Sequence, residues 1–139
     1  MEHLPIKNQS KIILIKSSII IPVLVIIVQI FEPDSFLLFL KERFWIWLLV
    51  MLLHPIFSAY PQELIYRTFF FHRYKILFKS EKLKIWMSTF SFSFLHIIYD
   101  SWIAVILTFV GDYIFSLTYS RTKSLAIVSL EHGIYGNLV

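Results

Sequence analysis

The stretch FWIWLLVMLLHPIFSAYPQELIYRTFFFH, residues 44–72, decides which fold this chain can have. Its first half is almost entirely apolar, and its second half carries Gln62, Glu63 and Arg67 among aromatic side chains. A helix of this length rises about 44 Å at ~1.5 Å per residue, which exceeds a hydrocarbon core of ~30 Å. Because Pro61 removes one helical hydrogen bond, we predict a kink or break there, beside the polar residues.

The composition of the whole chain indicates a membrane protein. Of its 139 residues, 58% are hydrophobic and 16% are charged, and the mean hydropathy is +0.72. A chain this short cannot bury so many apolar side chains in a water-soluble core. The net charge of +4 lies in short basic clusters between apolar runs, as in the cytoplasmic loops of membrane proteins. We therefore expect contact with the lipid bilayer and no nucleic acid partner.

Five apolar segments predict an all-α, polytopic membrane helix bundle with about five transmembrane spans and a kinked second span. The segments are Ile12–Phe31, Phe44–His72, Leu83–Tyr99, Ser101–Ser120 and Ser124–Val139. The length allows one domain, so residues 1–139 are expected to form a single membrane-embedded domain. No small-x-small cleavage site follows the first segment, which we interpret as an uncleaved span.

The basic residues predict the orientation of these spans. Lys7, Lys11 and Lys16 precede or begin the first segment, so the N-terminus is expected in the cytoplasm. The most basic loop, residues 73–84, falls on the same side when five spans alternate.

Four polar residues on four different predicted helices share one layer of the membrane. They are Glu63, His96, Asp112 and His132. Counted from the nearest basic residues at ~1.5 Å per residue, all four lie roughly 13–18 Å from the cytoplasmic side. An ionisable residue in the bilayer core costs several kcal/mol unless it is paired or wet, so it marks a functional site. The shared depth therefore predicts one buried polar site.

The first polar cluster has two interpretations. Glu63 and Arg67 are four residues apart, so they lie on one helix face and can pair. The pair is either a structural tether or a site in which Glu63 activates water and Arg67 orients it. Asp112 can pair with Arg67 or with a histidine, and we interpret His54 as structural.

The last cluster, from Glu131 to Asn137, also has two interpretations. His132 and Gly136 share a helix face and Asn137 lies near it, so His132 and Asn137 can donate to a developing oxyanion. Alternatively, the two glycines of this segment indicate a close contact between helices. Glu131 points about 100° away from its neighbour His132.

We expect no cofactor at this site. The sequence contains no His-Glu-x-x-His motif, so a zincin-type zinc site is not supported. A glutamate with two histidines could in principle bind a metal such as zinc. The absence of cysteine excludes thiolate ligands and disulfides.

Three motifs in order resemble the CAAX prenyl protease 2 / bacteriocin-processing family, often called CPBP or Abi. Ser58–Phe71 looks like its first motif, in which two glutamates and three variable residues precede an arginine. Phe92 and His96 match its Phe-x-x-x-His motif, and His132 with Asn137 resembles its His-x-x-x-Asn motif. The resemblance covers about residues 58–139, the motif-bearing core of the chain.

The resemblance implies an intramembrane endopeptidase that acts on a peptide or membrane-protein substrate without a metal. By position, Glu63 and His96 would activate the attacking water, while His132 and Asn137 would stabilise the oxyanion. The supporting residues would be Gln62, Arg67, Phe92 and Glu131, with Arg67 holding the first motif in shape. Since the motif form resembles bacterial members, we expect a bacterial cytoplasmic membrane.

The sequence departs from the family pattern in three places, of which Gln62 and the early C-terminus favour a non-catalytic alternative. Gln62 occupies the place of the usual first glutamate, and Asn137 follows His132 by five residues rather than four. The chain stops at Val139 inside the last predicted helix, so a truncated product is expected. The first alternative is a catalytically inactive membrane scaffold or bacteriocin-immunity protein. The second is a small transporter or proton-relay subunit, although the chain lacks the internal repeat typical of transporters.

Overall fold

The polypeptide folds into helices that are joined by short turns. The structure, a computed structural model, describes residues 6–34 and 38–138. Its helices are α1 (Ile6–Phe31), α2 (Leu38–Glu42), α3 (Phe44–Arg73), α4 (Glu81–Leu95), α5 (Trp102–Thr122) and α6 (Leu125–Gly136). A 3₁₀ turn, His96–Tyr99, extends α4. No strand occurs in the described residues, and the predicted all-α fold class is confirmed; the predicted end at Val139 lies outside them.

Helix α3 alternates between α-helical turns and wider π-helical turns. The α-helical stretches are Phe44–His54, Tyr60–Glu63 and Phe70–Arg73, and the π-helical stretches are Pro55–Ala59 and Leu64–Phe69. The backbone is therefore helical through Pro61, where we predicted a kink or a break; the kink stays a prediction. π-helical turns are rare in proteins, and those that occur are often at functional sites. The two π-helical stretches on either side of Glu63 therefore indicate a functional site in this part of α3.

Serine hydroxyls begin the last three helices. Ser80, Ser101 and Ser124 each have an extended backbone and accept a hydrogen bond from the N–H three residues on, at 3.1, 3.3 and 3.4 Å. Such caps satisfy one of the free donors at a helix start. The turns before α5 and α6 contain Asp100 and Lys123 in the left-handed conformation, with φ of 52° and 51°. These short turns make α4, α5 and α6 neighbours in space.

Polar and apolar side chains are distributed as expected for a protein surrounded by lipid. The largest fully buried side chains are those of Arg67, Glu63 and Glu131. Large apolar side chains point outward, and Ile98 and Trp102 are 79% and 80% exposed. Water would penalise so large an apolar surface, whereas lipid does not.

Within the part of the chain that the structure describes, three helices are long and apolar enough to cross a membrane: Asn8–Phe31, Phe44–Arg73 and Trp102–Thr122. The chain is therefore a multi-pass membrane protein. Helices α4 and α6 contain 15 and 12 residues, which is shorter than the ~20 residues of a typical span. The count of about five spans stays a prediction.

Polar contacts of Lys16 and Ser17 fasten α1 to the rest of the bundle. Lys16 Nζ lies 2.6 Å from Glu131 Oε1 and donates to Thr118 Oγ1 at 2.9 Å. One turn along the bundle, Ser17 Oγ and Tyr135 Oη are 3.2 Å apart. Lys16, one of the basic residues that predicted a cytoplasmic N-terminus, is thus the partner of a fully buried carboxylate.

A surface cluster joins the beginning of α4 to the end of α5. Glu81 accepts hydrogen bonds from Lys84 at 2.6 Å, Ser120 at 3.1 Å and Lys123 at 3.2 Å. Partial burial acts to raise the pKa of the Glu81 carboxyl, but the hydrogen bonds from the two ammonium groups outweigh it and lower that pKa below its ordinary value. The cluster therefore stabilises the loop end of the bundle when Glu81 is ionised.

Candidate active site

Arg67 is the centre of a buried network that links three helices. It forms ion pairs with Glu63 on its own helix and with Asp112 on α5. It also donates to Ser88 Oγ of α4 at 2.6 Å. All four side chains are completely buried. Two carboxylates around one guanidinium offset much of the cost of burying charge, provided that all partners remain in place.

The two ion pairs of Arg67 differ in geometry. Asp112 receives a direct hydrogen bond from Nη2 and holds a second one from Ser116 at 3.4 Å. The Nε atom lies 3.0 Å from Glu63 Oε2, but the two groups are not aligned as in a hydrogen bond. Glu63 is therefore held in place by charge from this side, and its other oxygen is free for a directed contact.

That directed contact is made with His132 of α6. Glu63 Oε1 and His132 Nδ1 are 2.7 Å apart, across 69 residues of sequence. Because an ionised carboxylate can only accept, His132 donates from Nδ1, and its Nε2 keeps a lone pair. A carboxylate that orients an imidazole in this way makes the free nitrogen a better proton acceptor.

Aromatic rings hold the His132 imidazole in position. Phe115 of α5 stacks on it at a centroid distance of 4.7 Å and an interplanar angle of 17°, and Phe92 of α4 meets it edge-on at 5.8 Å. His132 is only 7% exposed. Its side chain lines a cavity of about 370 Å³ between α1, α3, α4, α5 and α6.

His96 lines the same cavity but does not reach Glu63. Its Nδ1 lies 2.9 Å from the backbone oxygen of Phe92, which is an acceptor, so this histidine also carries its proton on Nδ1. Its ring packs against Phe92 at 4.6 Å, and Phe92 in turn contacts His132. The structure thus brings Glu63 to His132, whereas the predicted partner of Glu63 was His96.

Gln62 also lines the cavity, while the neighbouring Glu63 does not. The Gln62 amide donates to Ser58 Oγ at 3.2 Å, one turn earlier on α3. Among the described residues, the walls of this cavity contain no Asp or Glu. The polar groups exposed to a bound molecule are therefore three histidines (His54, His96 and His132), hydroxyls and the Gln62 amide.

Asn137, the predicted second oxyanion donor, has a different partner. Its Nδ2 donates to the backbone oxygen of Met51 on α3 at 3.2 Å, and it is not among the cavity residues. Glu131, another predicted supporting residue, is completely buried and pairs with Lys16. The roles of both residues in catalysis stay predictions.

Two glycines allow α6 to approach α3 closely. A Cβ atom on Gly133 would lie 2.9 Å from Pro55 Cβ, and one on Gly136 would lie 2.7 Å from His54 Cε1. The close helix contact that the glycines indicated is present. It brings His54 against the site, with its ring centroid 6.1 Å from that of His132.

Sequence reasoning missed His54, Ser88 and Lys16 as members of this region. His54 and Lys16 lie in apolar segments, and an ionisable residue inside a span was the available signal for both. Ser88 belongs to a hydroxyl-rich stretch with no recognisable motif, so its contact with Arg67 required the tertiary structure.

The described side chains do not fit a resident metal. Within residues 6–34 and 38–138, no group of three His, Asp or Glu side chains is arranged to hold a metal ion. Zinc in catalytic sites needs three such ligands.

Fold and site together define a multi-pass membrane protein with a buried carboxylate–arginine network behind a histidine-lined cavity. Residues 41–138 match the family described as Type II CAAX prenyl endopeptidase Rce1-like, and the chain belongs to this family. The resemblance found in the motifs is thereby confirmed, and the general class is that of the CAAX-type intramembrane proteases, which are hydrolases. No curated protein and no solved structure matches the chain. Helix α1 lies outside the matched residues.

Proposed function

We propose that this chain is an intramembrane endopeptidase that hydrolyses peptide bonds of membrane-associated substrates through a water activated by a Glu/His pair. The observation that carries the proposal is the 2.7 Å contact between Glu63 Oε1 and His132 Nδ1, behind a cavity lined by the same histidine. Membership of a protease family supports the reaction class. The assignment of the pair to Glu63 and His132 rests on this geometry.

In the proposed mechanism His132 is the general base. Its Nε2 removes a proton from water, and the resulting hydroxide attacks the scissile carbonyl. Glu63 stabilises the imidazolium that forms, while Arg67 holds the carboxylate in place. When the C–N bond breaks, the electron pair moves to nitrogen and His132 returns the proton to the leaving amine. The side chains then regain their initial protonation states.

His96 and Gln62 complete the polar side of the cavity. The Nδ1 of His96 is bonded to a carbonyl, so its Nε2 is a second acceptor that can position the attacking water. One proton of the Gln62 amide is bonded to Ser58, which leaves the other donor and the amide oxygen for a substrate backbone. In this proposal His96 positions the water and Gln62 orients the peptide.

The apolar walls of the cavity suit a substrate that arrives from the membrane. They include Ile20 and Leu24 of α1 and Leu107 and Ile114 of α5. The family description is that of a CAAX prenyl endopeptidase, so we propose a peptide with a prenylated C-terminal segment as the first substrate class to test. Apolar groups of such a substrate replace lipid contacts without exposure to water.

A comparison of peptide termini tests the proposal directly. Membrane and secreted fractions are compared from cells that express the wild type, Glu63→Gln or His132→Gln at equal levels, with Glu42→Gln as a control at an exposed carboxylate. New termini that require both Glu63 and His132 but not Glu42 support a protease and identify its substrate. Identical termini in all four strains overturn the proposal.

The proposed reaction needs no metal. Purified protein is expected to cleave the identified peptide equally well with and without EDTA. If cleavage is lost in EDTA and recovers with zinc, the proposal that Glu63 and His132 activate the water without a metal is wrong.

A catalytically inactive scaffold or bacteriocin-immunity protein is the second candidate. The observation that favours it is Gln62, which presents an amide to the cavity where the family has a carboxylate. In that case Gln62→Glu would create new termini that the wild type does not produce, whereas an immunity phenotype would persist in Glu63→Gln. If the wild type is a protease, it produces the termini itself, and its phenotype is lost in Glu63→Gln.

For the cellular setting we propose the bacterial cytoplasmic membrane with the N-terminus in the cytoplasm. The basic residues of the loop between α3 and α4 and at the end of α5 support this orientation. Reporter fusions to the N-terminus and to the α3–α4 loop should both be active only as cytoplasmic reporters.

A further inference from the structure

We propose that His54 donates the hydrogen bond that stabilises the tetrahedral oxyanion of this reaction. The inference rests on the proposed hydrolysis. None of the three motifs contains His54, and residues 1–57 lie before the first of them.

His54 faces the same cavity as the proposed base. Its ring meets the His132 ring edge-on, with centroids 6.1 Å apart and an interplanar angle of 73°. Both side chains line the cavity of about 370 Å³. A carbonyl carbon attacked by a water at His132 therefore lies within the region that His54 borders.

The fold keeps this ring in one place. Gly136 provides the space for it, because a Cβ atom there would lie 2.7 Å from His54 Cε1 and 3.4 Å from Nε2. The next residue of α3, Pro55, packs against Gly133. A donor fixed before the reaction costs no reorganisation when charge develops, which is the requirement for stabilising an oxyanion.

The hydrogen-bond partners assign opposite tautomers to the two histidines. His54 Nδ1 is buried and has no hydrogen-bond partner among the described residues, so a proton there would be an unsatisfied buried donor. The proton is therefore on Nε2. His132 has its proton on Nδ1, where Glu63 accepts it. One ring thus offers a lone pair for the water, and the other offers an N–H for the oxyanion.

The donor that the family motif would provide is engaged elsewhere. The Asn137 amide is bonded to the Met51 backbone oxygen at 3.2 Å and does not line the cavity. Gln62 is the other amide at the cavity, and one of its protons is directed to Ser58. His54 also lines the cavity, and its ring centroid is 6.1 Å from that of His132, so its N–H is a further donor at the site.

In the proposed step, the carbonyl oxygen of the substrate gains the charge that His54 stabilises. Hydroxide adds to the carbonyl carbon, and the π electron pair moves to the oxygen, which accepts a hydrogen bond from His54 Nε2–H. No proton is transferred in this contact. When the tetrahedral species collapses, the pair returns to form the carbonyl, the C–N bond breaks and the amine takes its proton from His132.

The test uses the full-length protein and the peptide whose terminus identifies it in the experiment above. His54→Phe retains a planar ring without an N–H, and His54→Gln retains an N–H donor. We expect kcat to fall about 10²–10³-fold in His54→Phe, as for removal of one oxyanion donor, with KM nearly unchanged. His54→Gln should recover part of that loss. Folding is checked by gel filtration and thermal unfolding.

A second variant moves the ring without changing its chemistry. Gly136→Ala places a methyl group where the His54 ring lies, and kcat should fall in the same direction. If His54→Phe cleaves as fast as the wild type, the inference is wrong and the proposed hydrolysis stands. The inference is also wrong if kcat falls equally in His54→Phe and His54→Gln. It is wrong as well if kcat falls in Gln62→Leu but not in His54→Phe. If no termini depend on the wild-type protein, both proposals fail.

Discussion

The side chain of Asn137 donates a hydrogen bond to the backbone oxygen of Met51 at 3.2 Å. Met51 lies four residues before Pro55 in α3. Since proline has no N–H, the carbonyl four residues earlier loses its helical donor. Asn137, which its motif would place at the oxyanion, thus supplies the hydrogen bond that Pro55 cannot and ties the end of α6 to α3.

We predict that Asn137→Ala destabilises the protein by about 1–3 kcal/mol, because it leaves the Met51 oxygen without a donor. Thermal unfolding of the purified protein in a fixed detergent measures the effect. Pro55→Ala restores an N–H to the backbone, so the cost of Asn137→Ala should be smaller in that background. Equal costs in both backgrounds would contradict this explanation.

Arg67→Gln is expected to be among the most damaging single changes in the chain. It strands two fully buried carboxylates, Glu63 and Asp112, and removal of one partner from a buried ion pair costs about 3–5 kcal/mol. Folded yield and unfolding temperature provide the measurement, with Arg73→Gln as an exposed control. Adding Asp112→Asn to Arg67→Gln should recover part of the loss, because it removes one stranded charge.

Lys16→Met should loosen α1 from the bundle. The change leaves Glu131 as a buried carboxylate without its cation, and Glu131→Gln should compensate for it. Cysteine cross-linking between α1 and α6 reports the contact: the single variant should cross-link more slowly than the wild type, and the double variant at a restored rate. Unchanged cross-linking in Lys16→Met would show that apolar packing alone holds α1.

The pH dependence of the surface cluster follows from Glu81. Its pKa is lowered in the folded protein, so its stabilising contribution is present above the unfolded value of 4.5 and is lost as pH falls through the folded pKa. Because the side chain is 41% exposed, the contribution is small, at most about 1 kcal/mol. Glu81→Gln should lower the unfolding temperature slightly at pH 7 and have no effect at a pH below the folded pKa. An equal effect at both pH values would exclude ionisation as the cause.

The sequence predicted those features that depend on local spacing or on composition. The apolar segments determined the all-α class, and the four-residue spacing of Glu63 and Arg67 predicted their pair, which the structure contains. The layer of ionisable residues correctly brought Asp112 and His132 to that pair. Each of these inferences needs only helical geometry and the cost of charge in lipid.

The remaining features depend on how helices rotate about their axes, which spacing does not determine. Glu63 turns away from the cavity and Gln62 toward it, although the motif treats them as neighbours. The partner of Glu63 is His132 rather than His96, because Phe92 lies against both histidines and His96 bonds back to its own helix. His54 reaches the site only because Gly136 allows α3 and α6 to approach.

The paired charges on α3 also bear on how the chain enters the bilayer during synthesis. Asp112 lies 45 residues after its partner Arg67, and His132 lies 69 residues after its partner Glu63. Both are therefore made after α3 has left the ribosome. Until then, the only charged partner from the site that Glu63 and Arg67 each have is the other, four residues away on one helix. They can enter the translocon as a nearly neutral unit, which reduces the cost of inserting either charge alone. The site is therefore completed last, when α5 brings Asp112 and α6 brings His132 to the pair.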